Sequence, residues 1–346
     1  MAIHLKNSLF YSTLAILSLL IITPSITLAT NQVNVYSARK EALIKPVLDT
    51  FSKETGIQVN LITGKADALL TRLRLEGSAS PADVFITVDA GRLHRAKQAG
   101  VLQTINSETL TNNIPKNLRD VDGYWFGLSQ RARPIFYAKG KLDPNSLSTY
   151  EDLANKKWKG KICMRSSNSV YNQSLVASML NATGKEATQT WLNNFVSNFV
   201  RKPAGGDTDQ LKAVAAGLCD ITIANTYYFG RLINSTDNAD KAVAEKLSVF
   251  WPNQNDRGTH VNVSGAGITT HAKNAQNALK LIEFLASPES QAWYSAVNNE
   301  YPVVAGSKIS PTLTAWGTFT QDTVDLSILG SNNRAAVEMM DRANWK

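Results

Sequence analysis

Tyrosines are the side chains best placed for chemistry in this sequence. Tyr227 and Tyr228 are adjacent. They lie between residues 221–224, an apolar stretch that reads as a strand, and a helical pattern running to Ile233. In open α/β sheets, ligands collect beyond the carboxyl ends of the strands. Neighbours in a regular helix diverge by about 100°, so one ligand can use both phenols only at an irregular segment or a first turn. Asn225-Thr226 supplies a helix cap there, and a helix N-terminus favours negative charge, a phenolate included. Arg165-Ser-Ser-Asn168-Ser-Val-Tyr171-Asn172 repeats the arrangement after a strand at 162–164. Serine, asparagine and free amides at a helix start form an anion pocket, with Tyr171 in the first turns. Each feature alone has a plainer reading: one core tyrosine beside a solvent-facing one, and a polar cap with a packed tyrosine.

Other chemistry is thinly represented. The histidines are His4, His94, His260 and His271, and no two are spaced as metal ligands on one helix. Gly265-Ala-Gly267 is a glycine pair rather than a phosphate loop, and Gly205-Gly206 reads as a helix start before Asp207. No nucleophile elbow, Walker loop or zinc pattern occurs, which argues against an enzyme. The tryptophans are dispersed, and none adjoins the tyrosine pair.

The elements that must position these groups alternate. Strands are predicted at 33–36, 58–62 and 83–88, and helices at 40–55, 66–76 and 92–99. Extended segments follow at 124–128 and 135–138. Alternation resumes with strand 162–164, helices 171–180, 186–199 and 209–216, strand 221–224 and helix 228–233. Extended segments at 248–251 and 265–269 precede helices 275–286 and 289–296. Strands separated by helices predict βαβ units and a mainly parallel sheet. The reading is two α/β lobes with the chain crossing between them more than once. Residues 30–130 with 265–305 would form one lobe, and 131–264 with 306–346 the other.

The first residues read as a secretory signal peptide over 1–29. Lys6 is the only Lys or Arg before Arg39, an apolar run spans 9–22, and small residues surround Thr27-Leu28-Ala29. An uncleaved anchor is the weaker reading, because Pro24, Ser25 and Thr27 break the run. Export makes a Cys163–Cys219 disulfide the first expectation for the two cysteines, with two buried thiols second. The formal net charge of +8 is scattered. Even the densest stretch, 156–161, is interrupted by Trp158 and Gly160, so nucleic acid is not an expected partner.

Several runs together resemble the periplasmic ferric-iron-binding protein family. They are Ser80-Pro81-Ala82-Asp83 before the strand ending at Val88-Asp89, Trp125-Phe126-Gly127-Leu128, Arg131-Ala132-Arg133 and Lys159-Gly160-Lys161-Ile162-Cys163. Asn225-Thr226-Tyr227-Tyr228 and Ser264-Gly265-Ala266-Gly267 continue the likeness, which extends through Phe284-Leu285-Ala286 and Glu300-Tyr301-Pro302. The similarity is greatest to the family's tyrosine-rich branch. It implies a two-lobed periplasmic-binding-protein fold of type II, with discontinuous lobes joined by crossing strands. It also implies a monomer that delivers ferric iron (Fe3+) to an inner-membrane ABC permease. Tyr171, Tyr227 and Tyr228 match the metal ligands. Arg39 and Arg131 match the arginines that hold a synergistic carbonate or another small anion, and Arg133 is a weaker match. Many relatives carry Arg-His-Tyr after the first strand, where this chain reads Arg39-Lys40-Glu41. Others supply a Glu beyond the third strand, where this chain has Val88-Asp89. A first-lobe ligand would then have to be Glu41 or Asp89, or be absent.

The chemistry agrees with that implication. Ferric ion is small and hard and prefers oxygen donors, as other hard cations do. Three phenolates cancel its charge, and arginines answer the charge of the anion. The alternatives are a binding protein for an organic solute such as a polyamine or thiamine, and an iron-buffering protein without a transport role.

Overall fold

The computed structural model describes Met1 and residues 31–346, so the predicted signal peptide lies, Met1 apart, outside the described residues. Nine strands among these form two sheets. They are β1 (Gln32–Ser37), β2 (Gln58–Thr63), β3 (Val84–Val88), β4 (Phe126–Ala132), β5 (Ile135–Ala138), β6 (Ile162–Cys163), β7 (Ile221–Ile223), β8 (Leu247–Phe250) and β9 (Val261–Ile268). The first sheet has the order β2-β1-β3-β9-β4 and the second β6-β7-β5-β8.

The βαβ expectation holds locally. β1 pairs in parallel with β2 and β3, and β6 with β7. The sheets are nevertheless mixed rather than mainly parallel, because β9 runs antiparallel to β3 and β4, and β5 antiparallel to β7 and β8. These antiparallel strands flank the two places where the chain passes between sheets, from β4 to β5 and from β8 to β9. All of β4, through Ala132, and all of β9, from Val261, belong to the first sheet.

Helices cover the sheets through apolar faces set at helical spacing. Lys45–Thr55 buries Val47, Leu48 and Phe51, and ends at Gly56 with φ +71°, the left-handed stop that favours glycine. Phe51 meets Phe284 edge to face at 5.4 Å. The two helices expected at 171–180 and 186–199 form one run, Val170–Ser197, broken only by non-helical Gly184. Against it packs the C-terminal helix Asn333–Arg342, which the sequence reading had not singled out. Beyond it, buried Trp345 wedges beside Phe195 and Phe199 and donates its Nε1–H to the Arg165 carbonyl at 2.9 Å.

Two local features explain sequence motifs that carry no ligand chemistry. A Cβ at Gly265 would lie 2.4 Å from the Phe126 carbonyl oxygen, and one at Gly267 would lie 2.6 Å from that of Tyr124. The glycine pair thus lets β9 sit close against β4 and its leading residues. Cys163 and Cys219 form a disulfide that ties the end of β6 to the turn before β7. No described helix is long and apolar enough to cross a membrane.

The disulfide closes a loop between residues 56 apart in sequence. In the chain-entropy picture such a link stabilises by roughly 2–4 kcal/mol. Replacing both cysteines by serine should therefore lower the urea midpoint, with an m-value no smaller than the parent's because the freed unfolded chain exposes more surface. An unaltered midpoint would show that the bridge contributes nothing to stability.

Candidate metal centre

The two tyrosine-bearing helices begin beside one another. Thr226–Ile233 follows β7, and Val170–Ser197 follows β6, its parallel neighbour. Their N-terminal turns therefore emerge from the same edge of the second sheet. Tyr227 is buried, while Tyr171 and Tyr228 are partly buried. The Tyr227 and Tyr228 rings lie 4.4 Å apart at 39°, so the first helical turn does bring adjacent side chains together. Tyr171 is near enough that its negative charge would be felt by both.

The helix caps depart from the sequence expectation. Asn225 occupies the N-cap position but makes no side-chain cap bond. Its Oδ1 accepts from Arg133 Nη1 at 2.9 Å, and its Nδ2 donates to the Tyr227 hydroxyl at 3.3 Å. Ser169, the N-cap of the other helix, also makes no cap bond. The buried hydroxyls of Ser169 and Thr226 have no protein partner. Orphan polar atoms at both helix starts are unusual in a dry interior and suit a polar ligand.

Two arginine pairs flank the phenols, each pair gripping one buried carboxylate. From the first sheet, Arg39 Nη2 donates to Glu300 Oε2 at 2.8 Å and Arg131 Nη2 to Glu300 Oε1 at 3.2 Å. Ser129 donates to Glu300 Oε2 at 2.7 Å. Both arginines also reach the Ser264 hydroxyl, Arg39 at 2.7 Å. On the second-sheet side, Arg133 Nη1 and Arg165 Nη1 hold Asp207 at 2.9 and 3.1 Å, and Arg133 also donates to Asn172. Arg131 and Arg133 thus diverge. β4 ends between them at Ala132, and Arg133 lies on the crossing to the second sheet, so it does not share the face of Arg131.

The arginines surround the tyrosine rings. The guanidinium carbon of Arg131 lies 6.0 Å from the Tyr227 ring, and those of Arg133 and Arg165 lie 5.9 and 5.6 Å from the Tyr171 ring. Arg231 lies 5.0 and 5.6 Å from the Tyr227 and Tyr228 rings. Burial would raise the carboxyls of Glu300 and Asp207, but the arginines outweigh it and hold both below the usual range. Burial pushes Tyr227 well above the ordinary phenol value and Tyr228 up to about 12, and the neighbouring phenols add to each shift.

Neither first-lobe carboxylate offers itself as a further ligand. Glu41 is exposed in a short 3-10 turn. Asp89 is wholly buried and already bonded: it accepts from Gly91 N at 2.9 Å, from Ser174 Oγ at 2.8 Å and from Asn262 Nδ2 at 2.8 Å. Among the described residues no cluster of three His, Cys, Asp or Glu side chains could hold a metal. Glu300, Asp207, Ser264 and Asn172 were not singled out as site residues from the sequence. They come from separate segments, and only the carboxylate count beside buried arginines could have hinted at them.

The chain belongs to the bacterial extracellular solute-binding proteins, whose family model matches residues 47–321. Its relatives place it with the periplasmic ferric-iron-binding proteins, transport proteins rather than enzymes. Iron uptake protein A1 of Synechocystis is 51% identical over 315 residues, covering 91% of this chain and 88% of that one. The Trichodesmium protein IdiA (FutA), solved in complex with iron and citrate ligands, is 52% identical with a TM-score of 0.89, over 91% of this chain and all of that one. The ferric binding protein of Campylobacter jejuni is 39% identical with a TM-score of 0.86, over 91% and 100%. The fold is accordingly the two-lobed type II arrangement.

The raised phenols make a signed prediction for the metal-free protein. Unfolded tyrosine ionises near ~10, while burial holds folded Tyr228 protonated to about 12 and holds Tyr227 well above the ordinary phenol value. Their contribution to stability is present below pH 10 and is lost as pH rises from 10 to 12. Urea midpoints of the metal-free Tyr227→Phe/Tyr228→Phe variant should therefore fall less steeply over that window than those of the parent. Equal slopes would contradict the burial described here.

Proposed function

We propose that this protein captures ferric iron in the periplasm as a monomer and hands it to an ABC permease of the inner membrane. In this reading Tyr171, Tyr227 and Tyr228 bind the metal as phenolates. A small anion, carbonate or a compact carboxylate, fills the remaining coordination opposite Arg39 and Arg131. The observation that carries the reading is the gathering of three phenols between two arginine pairs, with no carboxylate free to ligate nearby. A softer metal would call for imidazole or thiolate donors.

The chain's own groups then have separable tasks. Asn225 steers the Tyr227 hydroxyl, and Arg133 steers Asn225. The arginines lower the cost of ionising the phenols and supply donors for the anion. Arg39 and Arg131 come from the first sheet and the tyrosines from the second. A loaded centre therefore favours the closed arrangement of the lobes, which are proposed to divide near the β4–β5 and β8–β9 crossings. Closure of this kind gives a permease a shape by which to tell loaded from empty protein. The contact between Asn234 Nδ2 and Asn299 Oδ1, at 2.7 Å, is one that closure would make.

Ferric iron added to the protein with bicarbonate should produce an orange to red phenolate charge-transfer band, bleached by acid. Binding should release up to about three protons, because each phenol must ionise to ligate. Tyr227→Phe should weaken ferric binding by at least about a hundredfold, whereas Tyr124→Phe, outside the centre, should leave it unchanged. A colourless ferric-treated protein, or equal losses in the two variants, would contradict the reading.

A further inference from the structure

We propose that Glu300 sets the charge of the anion subsite, and that by neutralising one of its two arginines it selects small anions over highly charged ones. The inference rests on the ferric reading above and deepens it.

Arg39, Arg131 and Glu300 are all nearly excluded from solvent. Their formal charges leave a single positive charge on the first-sheet side of the tyrosines. On the second-sheet side, Arg133, Arg165 and Asp207 leave another single positive charge. Three phenolates cancel a trivalent cation, so the residual charges of the two arginine–carboxylate clusters match a dianion; Arg231, the further cation beside the Tyr227 and Tyr228 rings, is only partly buried and is screened by water. A trianion would enter this dry site with a charge unanswered, which is costly where water cannot screen it.

The donors fit the same division. Glu300 occupies Nη2 of each arginine and leaves Nε of Arg39 with both Nε and Nη1 of Arg131 buried and without a partner. Those three nitrogens are what the first sheet offers an incoming anion. Glu300 is itself held firmly. Ser129 donates to it, and the next residue, Tyr301, exchanges two backbone hydrogen bonds with Gln130, at 2.8 and 2.7 Å. On its other side, Asn299 packs against Gly230 of the Tyr227 helix. Glu300 is therefore placed to act on the subsite through its arginines, as a positioning and charge-setting residue rather than as a ligand.

The test is a set of ferric titrations, followed by the charge-transfer band, with bicarbonate and with citrate as the supporting anion. Citrate's chelation in free solution is common to all proteins compared and cancels in the ratio of half-saturating concentrations. Glu300→Gln should shift that ratio toward citrate by about tenfold or more, because one extra positive charge meets the extra negative one. The double variant Arg39→Gln/Glu300→Gln removes the buried ion pair as a unit and restores the single charge. It should keep the parent's ratio within about threefold, and it serves alone where the single variant does not fold. An unshifted ratio in folded Glu300→Gln, or a citrate-preferring double variant, would overturn the proposal. A parent protein that forms no band with either anion would instead bring down the ferric reading beneath it.

Discussion

Phenols gathered in a space largely closed to water cannot ionise on their own. Burial holds Tyr227 and Tyr228 in the neutral form far above the pH of any periplasm, and each would repel the charge of the next. Only a strongly charged cation entering among them makes ionisation favourable. The rest of the site answers that constraint. Arginines lie beside the phenol rings, so the surroundings favour negative charge on them.

Burying three arginines, with a fourth partly buried, beside such a centre creates a second difficulty, and the fold resolves it twice in the same way. Each sheet brings two guanidiniums onto one carboxylate, Glu300 in the first and Asp207 in the second. An unpaired buried charge would be severely destabilising, whereas a hydrogen-bonded cluster is tolerated. The supports of these clusters are distant in sequence. Ser264 comes from β9, Ser129 from β4, Asn172 from the Tyr171 helix, and Trp345 fastens the Arg165 backbone from the far end of the chain. The two arginine clusters are thus held from both crossings between the sheets and from the C-terminal tail.

The sequence was most legible where chemistry and local pattern coincide. The helix starts that carry Tyr171, Tyr227 and Tyr228 after β6 and β7 could be read directly, because strand, polar turn and helix follow in order. Pattern was misleading where a side chain serves a remote partner. Asn225 looks like a helix cap but is claimed by Arg133, across 92 residues. Arg133 looks like a companion of Arg131 at strand spacing, but β4 stops between them. Glu300 carried no local signal as a site residue, since its arginines lie 261 and 169 residues away. The antiparallel insertion of β9 between β3 and β4 was hidden for the same reason: a strand's neighbours are chosen by the whole sheet, not by its own residues.

The most direct test of the central claim is a crystal structure of the ferric-loaded protein, with the metal located by anomalous scattering at the iron edge. The account predicts one iron bound by the hydroxyl oxygens of Tyr171, Tyr227 and Tyr228, with an anion between it and Arg131. An iron held by other side chains, with the three phenols directed away from it, would contradict the account.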